Sequence, residues 1–195
     1  MLWWAKELFT SLRFLFVRGD KTFWQSKRIY EVVLPSVVSA IIVLAYLIVP
    51  QAFSIHFLMN LSGSIFQFMV FVVPFHLAAL GAFATFTSPG IDEELRGTNA
   101  QLRVWSNADN DHFYQTLTLR QYASLLFGYL CSIGIVFIVV YVIVSNLNFT
   151  FIAGDLYWTA HIAALLIVIF FVSHYAFLSI YAITFLFEKV NRIRS

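Results

Sequence analysis

The chain has 195 residues, of which 61 % are hydrophobic and only 11 % charged, and its mean hydropathy is +0.82. A water-soluble fold of this size could not hide so much apolar surface, so the composition excludes an ordinary soluble domain and predicts an all-α polytopic membrane protein. A formal charge of +2 gives no reason to expect direct nucleic-acid binding, and one cysteine, Cys131, excludes an intramolecular disulfide framework.

At the N-terminus, LWWAKELFTSLRFLFV repeats Leu2, Ala5, Phe9, Leu12 and Phe16 at intervals of three and four. That spacing predicts an amphipathic interfacial helix within an N-terminal segment, residues 1–31. Trp3 and Trp4 at one end, with Arg13, Arg18, Lys21, Lys27 and Arg28 along and after it, suit the interface of an anionic membrane. The segment either only orients the first span or senses lipid charge and packing. It is broken by Lys6, Glu7 and Arg13, so no cleavable signal is expected.

Four apolar runs follow, residues 32–50, 63–87, 124–145 and 162–187, each near or above the ~20 residues a helix needs to cross ~30 Å of hydrocarbon. Together they predict a transmembrane domain over residues 32–187. The first run carries Pro35 in its opening turn, where the missing N–H costs little, and a patch of Ser36, Ser39 and Ala40. The second holds Pro74, which cannot donate to the Val70 carbonyl, so a kink or loosening is expected there. Beyond it the pairs Ala78/Ala82 and Gly81/Thr85 mark a helix-packing face, as Gly128/Ser132 do in the third run.

The connection 51–62 is uncharged, and is expected in the outer interface or dipping back into the membrane. The loop 88–123 is the one sizeable stretch expected in water. Its acids Asp92, Glu93 and Glu94 suit the positive end of a short helix, and with Arg96 and Arg103 they form either a partner-docking surface or a self-compensating solvated loop. Ser106 to His112 reads as a turn, and Thr118 with Gln121 as a capping box into the third span. After the third run, Tyr157 and Trp158 form an aromatic anchor. The residues 188–195 are a basic tail.

Every Lys and Arg lies before the first run, in the 88–123 loop or after the fourth run, and none lies in the other two connections. Both termini and that loop are therefore expected in the cytoplasm. Asn60 and Asn148 head glycosylation sequons that lie too close to the membrane to be more than chance matches.

Two histidines fall within the runs. His76 is 12 residues before Ser88 and His174 is 14 before Glu188, roughly 18 and 21 Å from those ends, which places both near mid-membrane. Either they face a shared interior where protonation switches packing or relays a proton, with Pro74 as part of the switch, or each is neutral and bonded to a span carbonyl or hydroxyl. Two histidines and one cysteine are too few for a transition-metal site, and Asp109, Asp111 and His112 lack the glycine and glutamate of a calcium loop. No phosphate-cradling glycine motif, nucleophile arrangement or intramembrane carboxylate pair is apparent. No catalytic residue, metal or cofactor is therefore expected, and the chain does not read as an enzyme.

In length, four spans with both ends cytoplasmic, a basic aromatic N-terminal segment (LWWAKELFTSLRFLFVRGDK) and a modest cytoplasmic loop, the chain resembles the membrane subunit of the bacterial Kiwa anti-phage defence system, the KwaA-like family. The resemblance implies an inner-membrane homo-oligomer, a tetramer, that senses phage infection at the bilayer and works with a soluble DNA-binding effector. It carries no residue roles. A non-enzymatic sensor that recruits or regulates such an effector is one expectation. A small oligomeric channel or permeabilising effector is the alternative.

Overall fold

The structure is a computed structural model and describes residues 10–19, 26–85, 91–95, 100–106, 110–147 and 154–190. Its four long helices are α1 (Leu34–Ile48), preceded by a π-helical turn (Ile29–Val33), α2 (Phe57–Thr85), α3 (Leu119–Ser145) and α4 (Asp155–Val190). Between α2 and α3 the strands β1 (Gln101–Ser106) and β2 (Asp111–Thr116) form an antiparallel pair. All four helices, with the π-helical turn counted into the first, are long and apolar enough to cross a membrane. The fold class is thus the expected multi-pass one, with a small strand pair added.

The helices extend past the apolar runs that signal them. α2 begins at Phe57, so the whole second half of the uncharged connection is helix, leaving a 3₁₀ turn (Pro50–Ala52) and a short link. α3 begins at Leu119 because its cap lies there: the Thr118 N–H donates to Gln121 Oε1 at 3.1 Å, and the Gln121 N–H to Thr118 Oγ1 at 3.3 Å. That is the reciprocal pair a capping box requires. α2 runs through Pro74 without interruption.

Internal contacts divide the chain into two compact units, Met1–Ser26 with Val72–Gly134, and Lys27–Phe71 with Ile135–Ser195. α2 and α3 each contribute one part to each unit.

In the unit built from Lys27–Phe71 and Ile135–Ser195, α1 packs along α4. Pro35, Ser39 and Val43 form the buried edge of α1, and Val43 meets Leu165 and Ile169, both almost fully enclosed. Ser39 satisfies itself by donating to the Pro35 carbonyl at 2.7 Å, while Ser36 and Ala40 of the expected small patch stay exposed. One end of the helix pair is closed by aromatic rings: Tyr46 packs with Phe53, Phe57 and Trp158, and its hydroxyl lies 3.3 Å from His161 Nε2. Rings with a polar handle are what an interfacial belt needs.

The other unit is organised around the first half of α3. Residues 10–16 form a 3₁₀ helix rather than an α-helix, and residues 1–9 lie outside the described set, as do Lys21, Arg96 and 191–195. A 3₁₀ helix repeats every three residues, so Ser11, Phe14 and Val17 share one side. Phe14 is wholly buried and Val17 nearly so, whereas Phe16, on the face expected to be apolar, is 70 % exposed. Phe14 lies between Tyr122 and Tyr129, with ring centroids 5.8 and 5.5 Å away. Ser11 meets Ser132 at 2.7 Å. Ser132 sits roughly 18 Å along α3 from Arg120, so residues 10–16 run beside this helix instead of lying across its end.

The expected helix after Asp92 is replaced, over residues 91–95, by a turn and an isolated bridge from Glu94 to Thr118. The physical reason is visible in the backbone. The Ile91 and Glu93 carbonyls accept the Arg120 and Leu119 N–H groups, which otherwise have no partner at the start of α3.

Candidate functional site

The most constrained polar cluster lies where the start of the first span meets α4. Pro35 has no N–H, so the Glu31 carbonyl four residues earlier loses its α-helical donor. The chain answers with a π-helical turn at Ile29–Val33, in which the Leu34 N–H reaches back five residues to the Ile29 carbonyl. His174 of α4 supplies the missing donor, its Nδ1 lying 2.6 Å from the Glu31 carbonyl oxygen. A carbonyl can only accept, so Nδ1 carries the hydrogen. Histidine 174 is 7 % exposed and stacks on Phe170.

The same turn carries a carboxylate that the apolar runs conceal. Glu31 is only 3 % exposed and belongs to the spanning helix Ile29–Ile48. Lys27, one turn earlier, holds its Nζ 2.9 Å from Glu31 Oε1. At that distance the contact is an ion pair. Burial pushes the Lys27 ammonium below its ordinary value, against the pull of the Glu31 charge. Tyr30, next to Glu31 in the chain, stacks on Tyr181 of α4 with ring centroids 4.5 Å apart. The signal in the sequence is the spacing Lys27-x-x-x-Glu31, an i,i+4 pair leading directly into apolar residues.

His174 therefore meets the very start of the first span, whose third residue is Glu31. His76 lies in the other unit, 6 % exposed, with its ring 5.8 Å from that of Phe127.

Beside α3 a second polar junction forms. Arg120 makes a two-pronged contact with Asp92, Nε to Oδ1 at 2.7 Å and Nη2 to Oδ2 at 3.0 Å. Its remaining Nη1 donates to the Phe83 and Ala84 carbonyls at 3.0 and 3.2 Å, closing the last turn of α2. The guanidinium holds the Asp92 carboxyl below its ordinary range. Of the expected docking residues, Asp92 is thus engaged internally, while Glu93, Glu94 and Arg103 are exposed.

No protein-family model, curated protein or solved structure matches the chain.

The small-residue faces separate into two kinds. In α3, Gly128 and Ser132 are covered by the N-terminal 3₁₀ helix: Ser132 donates to the Gly128 carbonyl at 2.8 Å, which leaves Ser11 as donor to Ser132, and a Cβ on Gly128 would lie 3.7 Å from Ser11 Cβ. In α2, Ala78, Gly81 and Thr85 are exposed and Ala82 half-buried, and a Cβ on Gly81 would meet nothing within 4 Å. Thr85 turns its hydroxyl back to the Gly81 and Ala82 carbonyls, so this face is smooth and internally satisfied.

Among the described residues no three His, Cys, Asp or Glu side chains converge as metal ligands. An open groove of about 420 Å³ near the aromatic end of α4, lined by Leu47, Trp158, Thr159, Ile162, Ala163 and Leu166, offers apolar surface of the kind lipid chains cover.

Proposed function

We propose that the chain is a non-enzymatic, oligomeric multi-pass protein of a bacterial inner membrane that senses a membrane perturbation and recruits or restrains a soluble cytoplasmic effector, the role its Kiwa resemblance implies. One observation carries the reading: the strand pair is fastened to the membrane helix beside it. Arg18 bridges to Gln101 through two 2.8 Å backbone bonds, Phe14 is locked between Tyr122 and Tyr129, and Arg120 clamps Asp92 to the last turn of α2. A shift of α3 in the bilayer would therefore move the strands with it. The smooth Ala78/Gly81 face supports assembly with further copies.

The test is purification from membranes in mild detergent, with and without phage challenge. A soluble protein should co-purify in stable amount and its retention should change on challenge. Recovery of the chain alone under both conditions would overturn the reading. If purified protein instead passes ions across liposomes, and His76→Ala or His174→Ala alters the flux, the channel alternative replaces it.

A further inference from the structure

We propose that the exposed face of the β1–β2 pair docks on anionic phospholipid headgroups of the leaflet on its own side of the membrane. Directly opposed residues of an antiparallel pair share a face, so the register places Gln101 with Thr116, Arg103 with Tyr114, and Trp105 with His112 on one side. Arg18, bridged to Gln101, adds a second arginine to that side. Its guanidinium donates to the Tyr114 hydroxyl at 3.2 Å, and Trp105 packs edge-on against His112 at 4.9 Å. Arg103, His112 and Arg18 are exposed, Trp105 and Tyr114 about half so. None of these seven positions holds a carboxylate.

The opposite face is enclosed at one end. It carries Leu102, Val104 and Phe113, with Val17 beside them; Leu102 and Val17 are 6 % and 4 % exposed, whereas Phe113, nearer the hairpin turn, is 47 % exposed. The Leu102 end of that side is thus seated on the protein, and the other side presents cations and amphipathic rings. That combination fits a layer of phosphates over hydrocarbon, where tryptophan and tyrosine are half buried and arginine pairs with phosphate.

Placement favours the bilayer over a soluble polyanion. β2 ends at Thr116, three residues before α3 begins, and Arg13, in the segment running alongside α3, reaches the Arg103 carbonyl at 3.5 Å. The middle of β1 is therefore held back toward the level of the first turns of α3. The nearest dense anionic surface at that level is the membrane itself. The surface is independent of any effector, so failure of either reading leaves the other standing.

The test uses the full chain with Trp3, Trp4, Trp24 and Trp158 changed to Phe, so that Trp105 is the sole indole, reconstituted in neutral bilayers doped with brominated lipid. Brominated phosphatidylglycerol should quench Trp105 strongly, and the same mole fraction of brominated phosphatidylcholine only weakly. The preference should fall roughly fivefold for each of Arg18→Gln and Arg103→Gln, on the usual contribution of one basic residue near an anionic surface. Arg18→Lys with Arg103→Lys should retain most of it, and high salt should reduce it. Comparing two lipids in one preparation keeps the result readable even if a variant is less stable. Equal quenching by both lipids, a preference unmoved by the glutamines, or a Trp105 signal that answers to heparin in detergent and to neither lipid would each overturn the proposal.

Discussion

Pro35 removes one backbone donor from the start of the first span, and His174 of α4 puts another in its place. Leaving the Glu31 carbonyl unsatisfied should cost about 1–3 kcal/mol, so His174→Ala should lower unfolding stability in detergent by that amount. The effect has a specific suppressor. With Pro35→Ala the main chain regains its own N–H, and the cost of His174→Ala should shrink by most of its value. Circular-dichroism melts of the two single variants and the double variant measure this; additive effects would sink the account. The Nδ1–H donor exists in neutral and in cationic imidazole alike, so this bond alone gives no switch at mild acid pH. Lys27 and Glu31 behave differently. Removing either member of the enclosed pair should destabilise by about 3–5 kcal/mol, whereas Lys27→Met with Glu31→Leu together should cost far less in the same melts. At the other junction, Asp92 titrates below its ordinary range because Arg120 bonds its charged form. A depressed carboxylate stabilises the fold above its unfolded value and loses that contribution as pH falls through the folded one. The clamp on α2 should therefore hold at neutral pH and loosen only below about pH 4, and Asp92→Asn should abolish that acid dependence. Hydrogen exchange of the last turn of α2, followed against pH in both proteins, reports it.

The N-terminal segment shows how a correct composition can lead to the wrong face. Its leucines and phenylalanines fit a 3.6-residue period, but the described part turns every three residues, which rotates Phe14 and Val17 inward and Phe16 outward. Period three prevails because its neighbour is a helix with a shallow strip at Gly128, and a tight coil with serine at position 11 fits beside it. Phe14→Ala should free this segment with a loss of about 3–5 kcal/mol of local docking, and Gly128→Leu should expel it from the same strip. Limited proteolysis in detergent should then cut within the first 26 residues while the spanning helices stay protected. Equal protection in wild type and both variants would argue against the docking. The capping box of α3 was legible because Thr118 and Gln121 act locally and need no partner elsewhere. The strand pair was not: Gln101–Ser106 and Asp111–Thr116 have alternating residues, but a run of acids ahead of them and polar turn residues between them read as loop. Part of its support comes from Arg18, distant in sequence, through two backbone bonds to Gln101.

At the scale of the whole molecule, four spans follow from apolar length alone, since hydrocarbon leaves a chain little choice but helix. Glu31 escaped the same reading because a count of apolar residues stops at the first charge, while the helix continues past it to Ile29, and Lys27, two residues earlier, supplies the countercharge. What length cannot give is the number of copies. Within the chain, the Gly128/Ser132 strip is occupied by residues of its own N-terminal segment, and the Ala78/Gly81/Thr85 strip has no occupant among the described residues. Small residues let backbones approach closely in lipid, where dispersion and packing drive association. A second copy is therefore the expected cover of the α2 strip. Gly81→Leu should fill the strip and break such an assembly, whereas Gly128→Ala, with 3.7 Å available, should leave it intact. The mass of the detergent-solubilised particle, measured by light scattering with detergent subtracted, separates the two outcomes. A multimer in wild type and Gly128→Ala that falls to the mass of one 22.4 kDa chain in Gly81→Leu supports the α2 interface. A multimer of unchanged mass in Gly81→Leu moves the interface to another helix face, and a monomer in wild type removes the oligomer from the proposed function.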